Sequence, residues 1–355
     1  IEASAAWPTS RPAGMNRPAP LVVRRPEGLY CPQGDFFIEP WRPVDRAVIT
    51  HGHADHARPG HGHALCSMRG LPVLRARLGE AQSFQGLGFG QRLRLQDVWV
   101  SLHPASHVLG ASQVLIESAS ADGHGSERWL VSGDYRVQND PSCDAFEPVK
   151  ADVFISETTF GLPIYRWPNV ADEVALLLDW WQTCRDEGRA AVLYTYALGK
   201  AQRLLIALLR LAPLPGTLFV HPSVARMNEA YREAGIALPE LPTPPAMLSP
   251  GAMVLAPMAV QGSGWMQRQR PALAEAMVSG WMLVRGHRRR HAGVRGFVIS
   301  DHADWPGLLW AIDQTQASRV VLTHGQTSSM ARYLRDQGRD VDTLETEFDA
   351  QAADV

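Results

Sequence analysis

Three imidazoles and a carboxylate stand within six residues at His51-Gly52-His53-Ala54-Asp55-His56, directly after the apolar run Ala47-Val48-Ile49. Folding alone has little use for such a cluster at the mouth of a strand. A polar turn with chance histidines accounts poorly for four ligand-type side chains in six positions. The spacing suits metal capture: His51 and His53 can reach one ion, while Asp55 and His56, further round the turn, can reach a second. Mixed nitrogen and oxygen donors suit zinc best, with manganese or iron as further fits. Ions of this kind activate water, so hydrolysis is the chemistry to expect.

A site for two metals needs more donors than one loop supplies, and other strand ends offer them. His107 follows the apolar run at 98–102, and Asp134 ends Trp129-Leu130-Val131 in Ser132-Gly133-Asp134. Glu157 follows Val153-Phe154-Ile155, His302 follows Phe297-Val298-Ile299, and His324 follows Val320-Val321-Leu322. Singly, each could be a satisfied buried polar group. Acids and imidazoles that repeatedly terminate buried strands converge on one rim of a sheet, where binding sites gather. Asp304 reads better as a helix N-cap before Trp305-Pro306. His61-Gly62-His63 has no adjacent acid and reads as a loop near the site.

The elements that must position these residues change character along the chain. From about residue 21 to 160, short apolar runs punctuated by Gly, Pro and Asp read as strands. After Gly161-Leu162-Pro163, helix spacing takes over at Val174, Leu177, Leu178 and Trp181, then at Leu204, Leu205, Leu208 and Leu209. Between them, Ala190-Ala191-Val192-Leu193-Tyr194 is a candidate buried strand, and the alternation predicts an α/β unit with a parallel sheet. Trp180-Trp181 is expected to pack helix against sheet.

At 355 residues and 45% hydrophobic, the chain has ample core for two or three domains. A net charge of −2 gives no global basic field, so nucleic-acid contact would need a local patch. The densest basic segment is Arg285-Gly286-His287-Arg288-Arg289-Arg290-His291. There Arg288, Arg289 and Arg290 are candidate phosphate contacts, with a solvated loop as the alternative. Lys200 and Arg203 open the helix at 204–209, where a phosphate would gain from the helix dipole. A plain exposed helix face also explains them.

Four cysteines lie far apart with no CxxC pair, which fits a cytoplasmic protein. No apolar stretch approaches the ~20 residues of a membrane span. The Ala-, Pro- and Ser-rich start lacks the order of a secretion signal. Residues 1–20, with Met15 as the first methionine, are expected to be disordered or left over from expression. The acidic end at 346–355 reads as a frayed tail.

His-x-His-x-Asp-His, a lone His and then Ser-Gly-Asp resemble the metallo-β-lactamase superfamily. Ser156-Glu157-Thr158-Thr159-Phe160-Gly161, Ala197-Leu198-Gly199-Lys200-Ala201-Gln202 and Ser300-Asp301-His302-Ala303-Asp304 narrow the resemblance to the β-CASP nucleases. That group includes Artemis-type DNA nucleases, the mRNA cleavage endonuclease and ribonuclease J. Gly28-Leu29-Tyr30-Cys31-Pro32 and Ile38-Glu39-Pro40-Trp41-Arg42-Pro43 look most like bacterial ligase-associated DNA exonucleases. The resemblance covers about residues 21–344.

The resemblance implies an α/β fold: an αββα sandwich with an inserted β-CASP α/β domain. Its first part would span 21–165, the insert 166–290, and the return segment 291–345. It implies two divalent ions, zinc in the first place and manganese as an alternative. His51, His53 and His107 would hold one; Asp55, His56 and His324 would hold the other, and Asp134 would bridge them. Glu157 and His302 match the family's acidic motif and catalytic histidine. Glu39 stands where the family usually has an aspartate that orients the metal-binding loop.

The implied activity is phosphodiester hydrolysis by a metal-activated hydroxide, acting as a DNA exonuclease in end processing and repair. His302 would protonate the leaving oxygen or hold a phosphate oxygen, and Glu157 would fix its tautomer. DNA that is single-stranded or has a free end would be the partner, together with a ligase and a helicase, and no membrane. The main alternative is an RNA-processing nuclease of the same family, which His324 favours because the Artemis-type DNA enzymes usually carry valine there. A small-molecule hydrolase would not need the helical insert, and a non-catalytic relative would be expected to lose metal ligands.

Overall fold

The computed structural model describes residues 20–118, 127–210, 213–269, 272–284 and 293–344. The expected lead at 1–20 (but for its last residue), the tail at 346–355 and the basic segment containing Arg288, Arg289 and Arg290 lie outside the described residues.

The first sheet runs in chain order through β1 (Val23–Arg25), β2 (Gly28–Cys31), β3 (Phe36–Ile38), β4 (Arg46–Val48), β5 (His63–Ser67) and β6 (Phe84–Leu87). Helix α1 (Leu71–Leu78) crosses between β5 and β6. A second sheet begins with β7 (Arg92–Leu95), β8 (Val98–Pro104), β9 (Ser112–Ser118), β10 (Arg128–Val131) and β11 (Val153–Thr158). The chain then leaves for a third sheet through α2 (Val170–Asp186), β12 (Ala190–Tyr194), α3 (Lys200–Arg210), β13 (Leu218–Val220) and α4 (Pro222–Glu233). That excursion continues with β14 (Met253–Ala256), α5 (Gly264–Gln269), β15 (Leu273–Val278) and β16 (Arg295–Phe297). The chain returns to the second sheet with α6 (Trp305–Thr315), β17 (Arg319–Gly325), α7 (Thr327–Asp336) and β18 (Asp340–Thr343).

Alternation along each strand decides which layers meet. In β11, Val153 and Ile155 point to the core shared with Val48 and Leu65 of the first sheet. Phe154, between them, packs with Leu308 and Ile312 of α6 and Met330 and Leu334 of α7. This is the period-two pleat at work. Burying each such side chain contributes about 1.5–3 kcal/mol. On the outer face of the first sheet, Ala47 and Cys66 pack with Leu71 and Leu74 of α1. The layers therefore run helix, sheet, sheet, helix, which is the αββα sandwich.

The third sheet, in the order β13-β14-β12-β15-β16, is parallel throughout. Such sheets bury both faces. Here Ala191 and Leu193 face α2, α3 and α4, while Val192 and Tyr194 pack on the other side with Met266 and Met282. Trp181 is fully buried in that packing, and its indole N–H donates to Gly251 O at 2.9 Å. Strand β16 carries this sheet past residue 290, the expected end of the insert. Asp304 caps α6 by accepting from Gly307 N at 3.0 Å, with proline in the first turn.

Among the described residues no helix is long and apolar enough to cross a membrane. All four cysteines are free thiols.

Candidate metal centre and active site

Strand direction brings the candidate residues together. Strands β10, β11 and β17 are parallel neighbours, and β8 runs in the same sense because β9 is antiparallel to both β8 and β10. Their carboxyl ends share one rim, which carries His107, Asp134, Glu157 and His324. The hexapeptide loop after β4 reaches this rim from the first sheet. His61 and His63 do not: His63 opens β5 opposite Arg46, at the far end of that sheet from His51. Their expected place near the site is thereby corrected, because β5 begins where β4 begins.

The imidazoles converge tightly. Donor atoms of His51, His53, His107 and Asp134 all lie within 4.8 Å of one another, as do those of Glu39, His51 and His56. His53 Nδ1 is 3.2 Å from His51 Nε2 and 2.9 Å from His107 Nε2. Asp134 Oδ2 lies 3.1 Å from His56 Nε2, 3.6 Å from His51 Nε2 and 3.7 Å from His107 Nε2. Among the described residues, Asp55 and His324 stand outside the tight groups. Asp55 Oδ2 is 3.4 Å from His56 Nε2, and the His324 ring centroid is 5.4 Å from that of His56.

The far nitrogens of His51, His53 and His107 have protein acceptors, and these set their tautomers. His107 Nδ1–H donates to Asp301 O at 2.9 Å, and His53 Nε2–H to Leu198 O at 3.2 Å. His56 Nδ1 meets Glu39 Oε1 at 2.7 Å. Thr50 donates its hydroxyl proton to Glu39 and accepts from His51 Nδ1–H at 3.0 Å. Three lone pairs are thereby turned inward on His51 Nε2, His53 Nδ1 and His107 Nε2, while His56 Nε2 faces the Asp134 carboxylate. Lone pairs facing at such distances repel unless a cation sits among them. Zinc–nitrogen bonds of 2.0–2.1 Å on a tetrahedral ion would place two nitrogens about 3.3 Å apart, close to the spacings seen. The donor set fits a divalent metal.

Electrostatics agree. Burial pushes His51, His53 and His107 below the ordinary imidazole range, towards the neutral form that binds metal. Burial also opposes charge on His56, but Asp134, Glu39 and Asp55 together hold it well above that range. Asp134 is desolvated, which alone would raise its pKa, yet His56 and His302 keep it well below the usual carboxylate range. The backbone is strained where it aims these groups: Glu39 has φ +48°, Ser106 beside His107 +57° and His324 +50°. Such conformations persist in non-glycine residues only when the surroundings over-determine them.

Glu157 and His302 form a separate pair beside the cluster. His302 Nδ1 lies 3.1 and 3.0 Å from the two Glu157 oxygens, and its ring is 4.6 Å from that of His107. Glu157 also accepts from Tyr135 N at 2.8 Å and from the Thr159 hydroxyl at 2.5 Å. A carboxylate so fully engaged is built to hold an imidazole in one orientation.

The substrate-side expectation for Lys200 needs correcting. Lys200 is 1% exposed and Arg203 3%, so neither forms an exposed helix face or a phosphate grip. Both face Asp301 instead: Lys200 Nζ lies 3.9 Å from its carboxylate, and Arg203 reaches it with Nη1. The motif loop and the carboxyl ends of the third sheet do enclose a cleft of about 630 Å³, lined by His53, Asp55, Arg77, Tyr196, Arg226 and Met277 among others. Sequence reasoning passed over Asp140, Asp301 and the Leu198 carbonyl, since no spacing rule marks a buried charge network or a main-chain acceptor.

No family model matches the chain. It is 33% identical over 323 residues, 90% of its own length, to a protein of Opitutus terrae named as a probable DNA ligase. It covers 30% of that relative, so it spans less than a third of the ligase-named protein. It is 30% identical over 206 residues, 47% of the chain, to the endoribonuclease YSH1 of Mycosarcoma maydis, and covers 22% of it. It is also 30% identical over 129 residues, 36% of the chain, to the cleavage and polyadenylation specificity factor subunit 3 of Dictyostelium discoideum, 16% of which it covers.

The chain is a β-CASP relative of the metallo-β-lactamase type. A crystal structure of a protein of unknown function from Enterococcus faecalis shares the fold of this β-CASP chain. It has a TM-score of 0.52 and 14% identity over 78% of this chain and 74% of that one.

Proposed function

We propose that this β-CASP chain is a metal-dependent DNA exonuclease that hydrolyses phosphodiester bonds at DNA ends, in end processing and repair. One observation carries the reading: His51, His53, His107 and Asp134 bring their donor atoms within 4.8 Å of one another, beside His56 and the Glu157–His302 pair. His51, His53 and His107 would hold one ion and Asp55, His56 and His324 a second, with Asp134 shared between them. Zinc suits this donor set best, with manganese as the alternative. When bound, divalent ions supply hydroxide at neutral pH and neutralise the charge building on a phosphoryl group. Glu39 orients His56, and Glu157 orients His302, which hands a proton to the leaving oxygen. The inserted unit, from about residue 166 through β16, closes the cleft over a polynucleotide against the sandwich.

DNA is favoured by the similarity, across 90% of the chain, to a protein named as a probable DNA ligase. A ligase is accordingly the functional partner. RNA is the second reading, supported by the similarity to endoribonucleases and by His324. Parallel digestion of end-labelled single-stranded DNA and RNA of one sequence separates the two. Turnover of DNA above RNA, with products released from an end, is expected. RNA turnover far above DNA turnover would replace the DNA reading.

A further inference from the structure

We propose that Arg203 is a positioning residue of the metal centre, through which the inserted third sheet sets the aim of His107. The inference rests on reading the histidine cluster as a metal centre.

Arg203 stands on α3, in the insert, yet every group it grips belongs to the sandwich or to the loop leading back to it. Its Nη2 donates to the main-chain oxygen of His107 at 3.2 Å. Its Nη1 donates to Ser300 O at 2.8 Å and to the Asp301 carboxylate, and its Nε pairs with Asp140. Asp301 in turn receives the His107 Nδ1–H on its main-chain oxygen. One guanidinium therefore fixes both the backbone of His107 and the residue that orients its ring. The planar fork of arginine can serve these acceptors at once, whereas an ammonium cannot.

The same insert segment touches the centre at two further points. The Leu198 carbonyl holds His53, and Gly199 comes so close to the His107 loop that a Cβ there would lie 2.3 Å from Val108 Cγ1. The guanidinium is 3% exposed and already engaged on all sides, so it does not serve as a substrate contact.

Arg136 provides the control. It belongs to the same network, with Nη1 3.7 Å from Asp140 and 3.4 Å from Gln138 O, but none of its recorded bonds reaches His107 or Asp301. The full chain, Arg203→Lys and Arg136→Lys are compared by chelator competition for Zn2+ and by the visible spectrum of the Co2+-loaded protein. Lysine keeps the positive charge that Asp140 and Asp301 require while removing the fork. Arg203→Lys is expected to weaken Zn2+ binding about 10–100-fold and to shift the Co2+ bands. Arg136→Lys should leave both at wild-type values.

Wild-type affinity and spectrum in Arg203→Lys would overturn the inference. Equal losses in the two variants would also overturn it, because the network would then act on stability alone. If Arg203→Lys does not fold, Asp301→Asn keeps the carbonyl that holds His107 while loosening the grip of Arg203. It is expected to shift affinity and spectrum in the same direction, and unchanged values would count against the inference. A wild-type chain that binds neither ion would overturn the metal-centre reading and the inference with it.

Discussion

Asp134→Ala is expected to strip the chain of metal and lower turnover by at least about 10³-fold. Its Oδ2 lies 3.1 Å from His56 Nε2 and within 3.7 Å of both His51 Nε2 and His107 Nε2. The carboxylate is buried, and the neighbouring imidazoles hold it ionised against that burial. Without it, no carboxylate remains among the donors shared by His51, His53 and His107; Glu39 and Glu157 face His56 and His302 instead. Elemental analysis of the purified variant beside its turnover checks both halves. A full metal complement, or turnover within tenfold of wild type, would contradict the account.

His302→Ala should behave differently: turnover is expected to fall by about 10²–10⁴-fold, the usual worth of a positioned proton donor, with metal content unchanged. The distinction is informative because donor atoms of Asp134, Glu157 and His302 also lie within 4.8 Å of one another and could be read as ligands themselves. The bonding argues otherwise. His302 presents Nδ1 to both Glu157 oxygens, and those oxygens are further occupied by Tyr135 N and the Thr159 hydroxyl. Metal loss in His302→Ala comparable to that in Asp134→Ala would recast the pair as part of a metal site.

Much of this was legible in the sequence for a simple physical reason. Chemistry at the carboxyl ends of buried strands leaves a local mark, an apolar run followed within about five residues by His, Asp or Glu. His107, Asp134, Glu157 and His324 all show it. Helix caps are equally local, and Asp304 was readable from the proline that follows it. Long-range charge pairing leaves no such mark. Lys200 and Arg203 look like any basic helix start, yet they are buried against Asp301, about a hundred positions away in the chain. The tautomers of His53 and His107 are likewise set by main-chain oxygens of Leu198 and Asp301, which carry no side-chain signature. His61 and His63 misled because their spacing copies His51 and His53, while parallel pairing of β4 and β5 carries them to the opposite end of the sheet.

The most direct test of the central claim is digestion of end-labelled single-stranded DNA by the full chain before and after metal removal. Cleavage should disappear when a chelator has stripped the protein and return when Zn2+ or Mn2+ is added back. Undiminished cleavage by the stripped protein would contradict a metal-dependent nuclease, as would a metal-replete protein that cleaves neither DNA nor RNA.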